Sequence, residues 1–152
     1  MTINEALTKQ LFIVALKFKD GDSELSKDLM VKIMKARIAL NKIKTAFNAD
    51  VKTAADGFMT DDFKKLQEKG EKRTKKENEK YTELVNKIND EINSYINSYV
   101  QDEVKDNIDL IFTEDEYNEL LPINVDAKAD INGQEVEGPN FVEAFYTLFV
   151  KW

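Results

Sequence analysis

The sequence predicts a mainly α-helical fold: a long antiparallel helical hairpin with short flanking helices and a small C-terminal β-hairpin. Two matched apolar seams and one turn dipeptide carry that expectation. Leu29, Ile33, Ala36, Leu40, Ile43 and Phe47 follow one another at steps of 4, 3, 4, 3 and 4, and Tyr81, Val85, Ile88, Ile92, Tyr95 and Tyr99 repeat the same steps. Such steps place the side chains on one stripe of a helix, as in helices packed lengthwise in the manner of a coiled coil. The dipeptide is Asn132-Gly133, which suits the two left-handed positions of a two-residue hairpin turn.

At 152 residues the chain is expected to form a single domain, 1–152. Its first part, 1–18, reads as a helix, with Thr2 and Glu5 at the spacing of a reciprocal N-terminal cap. Leu11–Leu16 is apolar on every side, so a buried strand competes with a helix there. Lys19–Ser23 reads as a turn, with Ser23 placed to cap the next helix, about Glu24 to Asp56, which Gly57 is expected to end. The hairpin spans 24–107, with a charged, solvated bend at about 68–80 and a second long helix from about Asn78 to Asn107. The remainder, 108–152, is an acidic mixed part. Ile108–Phe112 reads as a short strand, Thr113 and Glu116 cap a helix ending at Pro122, and Pro139 opens a last helix running to Trp152.

Composition narrows the chemistry. The chain has no cysteine and no histidine, which removes thiol nucleophiles, zinc-thiolate sites and the usual general base near neutral pH. A non-enzyme without cofactor or metal is therefore expected. Asp20–Glu24 does not continue as a calcium loop, because Leu25 and Val31 stand where glycine and glutamate are needed. Asp102, Glu103, Asp106 and Asp109 read as a wet helix face rather than a magnesium site. Net charge is −7, unevenly spread. Residues 64–80 carry eight basic and four acidic side chains, and residues 101–152 carry three and thirteen. Phosphates would be repelled by the acidic third, so nucleic acid is not an expected partner. No apolar run reaches the 18 or so residues of a membrane span, and the N-terminus lacks a signal-peptide pattern. A cytoplasmic or virion location, without secretion or membrane insertion, is expected.

Two clusters are candidate sites. The tandem Ile92-Asn93-Ser94-Tyr95 and Ile96-Asn97-Ser98-Tyr99 sets Asn93, Tyr95, Asn97 and Tyr99 on neighbouring helical stripes, where rings and amides could hold a flat ligand. Tight helix packing is the plainer reading of the same residues. The last helix is apolar over most of its circumference. Phe141, Phe145, Tyr146, Phe149 and Trp152 are therefore the expected interface of a homo-oligomer, unless the two chain ends cover each other within one chain.

With Leu29–Phe47 set against Tyr81–Tyr99 and an ending such as Phe112-Thr113-Glu114-Asp115-Glu116-Tyr117, the plan resembles small helical-hairpin proteins of tailed bacteriophages. The resemblance implies a non-catalytic assembly or protein-interaction role, virion-associated or host-directed. The alternative is an oligomer that sequesters a small molecule or nucleotide signal.

Overall fold

A computed structural model describes residues 1–17, 25–105, 108 and 110–150. Helix accounts for 75% of them, far above the roughly one-third average of globular domains. In chain order come α1 (Ile3–Ala15), α2 (Lys27–Phe58), α3 (Asp61–Lys69), a 3₁₀ turn (Gly70–Lys72), α4 (Lys75–Tyr99) and α5 (Glu114–Asn124), then β1 (Lys128–Ile131), β2 (Gln134–Glu137) and α6 (Gly138–Phe149). Contacts gather these into two compact units, one of Met1–Lys44 with Glu103–Trp152, the other of Thr45–Asp102. Helix α2 contributes its first half to the former and its second half to the latter.

The first unit is built around phenylalanine. Residues 11–15 are helical, and Thr2 and Glu5 exchange the expected cap bonds, at 3.2 Å to the Glu5 amide and 2.8 Å from the Thr2 amide. Leu29, Ile33, Ala36 and Leu40 of α2 join Phe12, Ile13 and Leu16 of the α1 segment in one buried cluster, with Leu120 of α5 and Phe141, Phe145 and Phe149 of α6. The aromatic core is continuous: Phe12 lies 4.9 Å from Phe141, and Phe145 lies 4.5 Å from Phe149 and 6.0 Å from Phe112 between ring centres. Polar groups fix how α1 and α2 meet. Buried Gln10 donates to Asn41 at 2.8 Å, and Arg37 donates to the carbonyls of Ile13 and Leu16 at the end of α1. Lys32 reaches the Ile111 carbonyl at 2.5 Å and Glu116 at 2.8 Å, tying α2 to the start of α5.

Several boundaries differ from the sequence reading. The Ser23 cap falls outside the described residues; Ser26 takes that role, accepting from the Leu29 amide at 3.3 Å. Gly57 lies within α2, which runs on to Phe58. Helix α5 passes through Pro122 to Asn124, because a proline withholds a single ladder bond and the Val125 amide still reaches Leu121 at 3.1 Å. Of the strand read at 108–112, Asp109 lies outside the described residues and the others form no strand; Phe112 makes an isolated parallel bridge to Val150, its amide donating to the Phe149 carbonyl at 2.7 Å. Helix α6 stops at Phe149.

The β-hairpin forms as expected. Lys128 pairs with Glu137 and Ile131 with Gln134, and Asn132 and Gly133 turn the chain at φ 54° and 81°. The Asp130 carboxylate accepts from the Gly133 amide at 2.8 Å.

The second unit is the helical hairpin. Phe47 on α2 stacks on Tyr99 near the end of α4, at 5.5 Å and 21°. At the other end of α4, Tyr81 stacks on Phe63 of α3 at 5.4 Å and 9°. The bend is shorter than the charge run suggested. Thr74 and Glu77 form a reciprocal cap that starts α4 at Lys75, so only Gly70–Thr74 turn. Gly70 stands at φ 50°, a backbone angle that side chains resist. Arg73 is no solvated tip residue. Its guanidinium lies 3.8 Å over the Tyr81 ring, Nη1 donates to the Leu66 carbonyl at 3.0 Å, and Nε donates to Asn78 at 2.9 Å.

Candidate functional site

The residues proposed as a flat-ligand site lie in one helical stretch of α4. Asn93 and Asn97 are exposed, while Tyr95 and Tyr99 are half-buried. Ser94 and Ser98 are also exposed, so neither provides a close helix approach. Tyr99 is already committed. Its hydroxyl donates to Asp50 at 2.6 Å, and its ring is shared by Phe47 and by Tyr95 at 5.6 Å. The bond to Asp50, with some burial, pushes the Tyr99 pKa up to about 12, because ionisation would set two negative charges side by side.

The residues proposed as an oligomer interface are placed differently from the expectation. Phe141 and Phe145 are fully buried and Phe149 nearly so, all within the first unit. Helix α6 packs against α5, both strands and α1, so the two chain ends cover each other inside one chain. The three phenylalanines cannot then face a partner, and the interface expectation is corrected for them. Tyr146 is half-buried, edge-on to Tyr117 at 4.8 Å, with its hydroxyl 3.3 Å from Glu114. Trp152 lies outside the described residues, as do Asp106 and Asp109 of the acidic run. Glu103 of that run binds the N-terminal amine at 2.9 Å. Among the described residues there is no cluster of potential metal ligands and no helix long and apolar enough to cross a membrane.

Among the described residues, exposed large apolar side chains gather on the first half of α2; the others, Val14, Ile111, Leu121 and Val125, lie on other parts of the chain. Met30, Val31, Met34 and Ile38 expose 46, 43, 52 and 63% of their surface. Met30, Met34 and Ile38 step by four, and Val31 lies three residues before Met34 and seven before Ile38, so a single band results. The stripe runs beside the buried seam rather than on it, which makes the apolar face of α2 wider than its core requires. A hollow of about 350 Å³ opens along it, floored by Ile33 and bordered by Met30, Met34, Arg37, Ile38 and Asn41. Full burial of such a side chain is worth roughly 1.5–3 kcal/mol, and with about half of each still exposed roughly half of that is forfeited to water. Four together are a substantial unclaimed gain.

The charge of the helical segment that carries the stripe is one-sided. Residues 27–44 hold Lys27, Lys32, Lys35, Arg37, Lys42 and Lys44 against Asp28 alone. Lys32 and Arg37 turn inward, as described above, and Lys44 lies 3.4 Å from Gln10. Burial pushes the Arg37 guanidinium below its ordinary value. Lys27, Lys35 and Lys42 are exposed. Lys27 and Lys35 stand one turn before and after Val31, and Lys42 one turn beyond Ile38. The signal for this face was present in the sequence as the Met30, Met34, Ile38 row. It was masked by the stronger seam one helical column away. Comparison with protein families, with curated proteins and with solved structures gives no match for this chain.

Proposed function

We propose that the chain is a non-catalytic protein-interaction module that meets its partner through the outer face of α2. One observation carries this reading: four large apolar side chains, Met30, Val31, Met34 and Ile38, stand near one another and exposed on a helix that already fills the core with Leu29, Ile33, Ala36 and Leu40. An apolar patch of that kind is costly in water and commonly marks an interface. The scaffold beneath it is held by the phenylalanine core and by the Arg37 and Lys32 ties. On the resemblance of the sequence to small phage proteins, the interaction is read as one made in a virion or in an infected host cell.

Photo-crosslinking in cells tests the reading. A photoreactive residue at position 34 should give a discrete heavier product, and the same residue at exposed position 93 should not. The product should vanish when Ile38→Glu is added. Identical products from both positions, or none from position 34, would refute the reading.

A further inference from the structure

We infer that the occupant of the α2 face is an acidic, apolar-faced helix of another protein, an inference that rests on reading this face as the interaction surface. The shape argument comes first. A row of side chains one turn apart, with a hollow beside it, matches the anchors that an amphipathic helix presents at positions i, i+4 and i+7. Two of the four exposed apolar residues are methionines, whose unbranched chains repack around a helix without strain.

Charge then selects the partner. The amines that remain available at the rim are Lys27, Lys35 and Lys42, and none of the three has an ion-pair partner among the described residues. Asp28 is the only acidic side chain in residues 27–44. Pairing this face with itself in a second copy would oppose two lysine rows, a like-charge arrangement that specific interfaces use to exclude partners. A basic helix meets the same repulsion. An acidic helix gains at each rim lysine. The chain as a whole carries −7. Charge beyond about 8 Å is screened at physiological salt, and the carboxylates that lie against the start of α2, Glu116 and Glu119, are already bonded to Lys32 and to the Ser26 amide, so the rim lysines govern the encounter.

The experiment uses the full chain and three labelled helical peptides with the same leucine row, flanked by glutamate, by lysine or by serine. Binding is read by fluorescence anisotropy. Circular dichroism checks that each variant keeps its helix content, which exposed positions permit. The glutamate peptide should bind at least tenfold more tightly than the lysine peptide, and its affinity should fall as salt rises. Ile38→Glu should weaken it at least tenfold, and Lys35→Glu with Lys42→Glu should reverse the preference towards the lysine peptide. Equal or tighter binding of the lysine or serine peptide, still lost with Ile38→Glu, would overturn the acidic-helix inference while the interaction face stands. Light scattering that finds a dimer, returned to monomer by Ile38→Glu, would likewise keep the face but assign it to a second copy. Binding of no peptide by a monomeric chain, or binding indifferent to Ile38→Glu, would sink both.

Discussion

Truncating Phe145 to alanine tests whether the aromatic ending of the chain is core or surface. Phe145 is fully buried, with the rings of Phe149, Phe112, Phe141 and Tyr117 at 4.5, 6.0, 6.1 and 6.4 Å. The substitution removes a buried ring and leaves a cavity whose walls are other rings, which cannot collapse far. Changes of that type cost about 3–5 kcal/mol. In a chain of this length each kcal/mol lowers the melting temperature by about 2–4 °C, so a fall of about 6–20 °C is expected. Urea unfolding followed by circular dichroism measures the free energy. Phe145→Leu, which conserves most of the volume, should lose less than about 1.5 kcal/mol. An interface residue on a free surface would lose only about 0.5 kcal/mol or less. A loss below about 1 kcal/mol for Phe145→Ala would therefore refute the placement of α6 inside the chain and return its aromatics to the surface.

Other parts of the fold give separate outcomes. Arg73→Ala should cost about 1–3 kcal/mol in thermal unfolding, from the lost ring contact and two charge-assisted bonds, whereas Lys72, Lys75 and Lys76 to glutamine should each stay within about 0.5 kcal/mol. Equal effects at all four positions would show that Arg73 is only part of a solvated run. Arg73→Lys should not restore stability, since an ammonium cannot stack and reach two acceptors at once. The Asn124 side chain is fully buried and neither of its polar atoms has a hydrogen-bond partner among the described residues. Asn124→Leu should therefore leave stability unchanged or raise it by about 1–3 kcal/mol, and a comparable loss would mean that the amide is satisfied. Tyr99 has a pKa raised from 10 to about 12, so the stability it contributes is whole below pH 10 and is lost as pH climbs towards 12. Ultraviolet titration should find one tyrosine ionising last in the wild type and absent in Tyr99→Phe, and Asp50→Asn should bring it back towards 10; an unchanged titration in Asp50→Asn would dismiss the bond.

Local features were the most legible in the sequence. The caps at Thr2 and Thr113 and the turn at Asn132-Gly133 each depend on a few adjacent residues, and each stands where the sequence puts it. The cap at Thr74 with Glu77 was equally readable but was hidden by the charges around it. Seams were legible as helices and not as partners. Period reveals which face of α2 is apolar, yet Leu29–Leu40 enter the phenylalanine core while Phe47 meets Tyr99. Leu11–Leu16 and α6 each looked in need of an outside partner because either, considered alone, is apolar nearly all round. Their cover is mutual, a contact between residues such as Phe12 and Phe141 that no local pattern encodes. The same reasoning explains Arg73, whose stacking partner Tyr81 is eight residues away and set by the turn between them. The outer stripe of α2 was missed for the opposite reason. Its row was visible, but only the filled core shows that Met30, Met34 and Ile38 are surplus to it.

Backbone hydrogen exchange, read by mass spectrometry with and without the glutamate-flanked helical peptide, tests the central claim most directly. The claim is that this chain meets other proteins through α2 and not through its aromatic end. Residues 27–44 should gain protection on binding, and residues 138–149 should be strongly protected already and should not change. Added protection confined to 138–149 or to 75–99, or no change anywhere at saturating peptide, would contradict it.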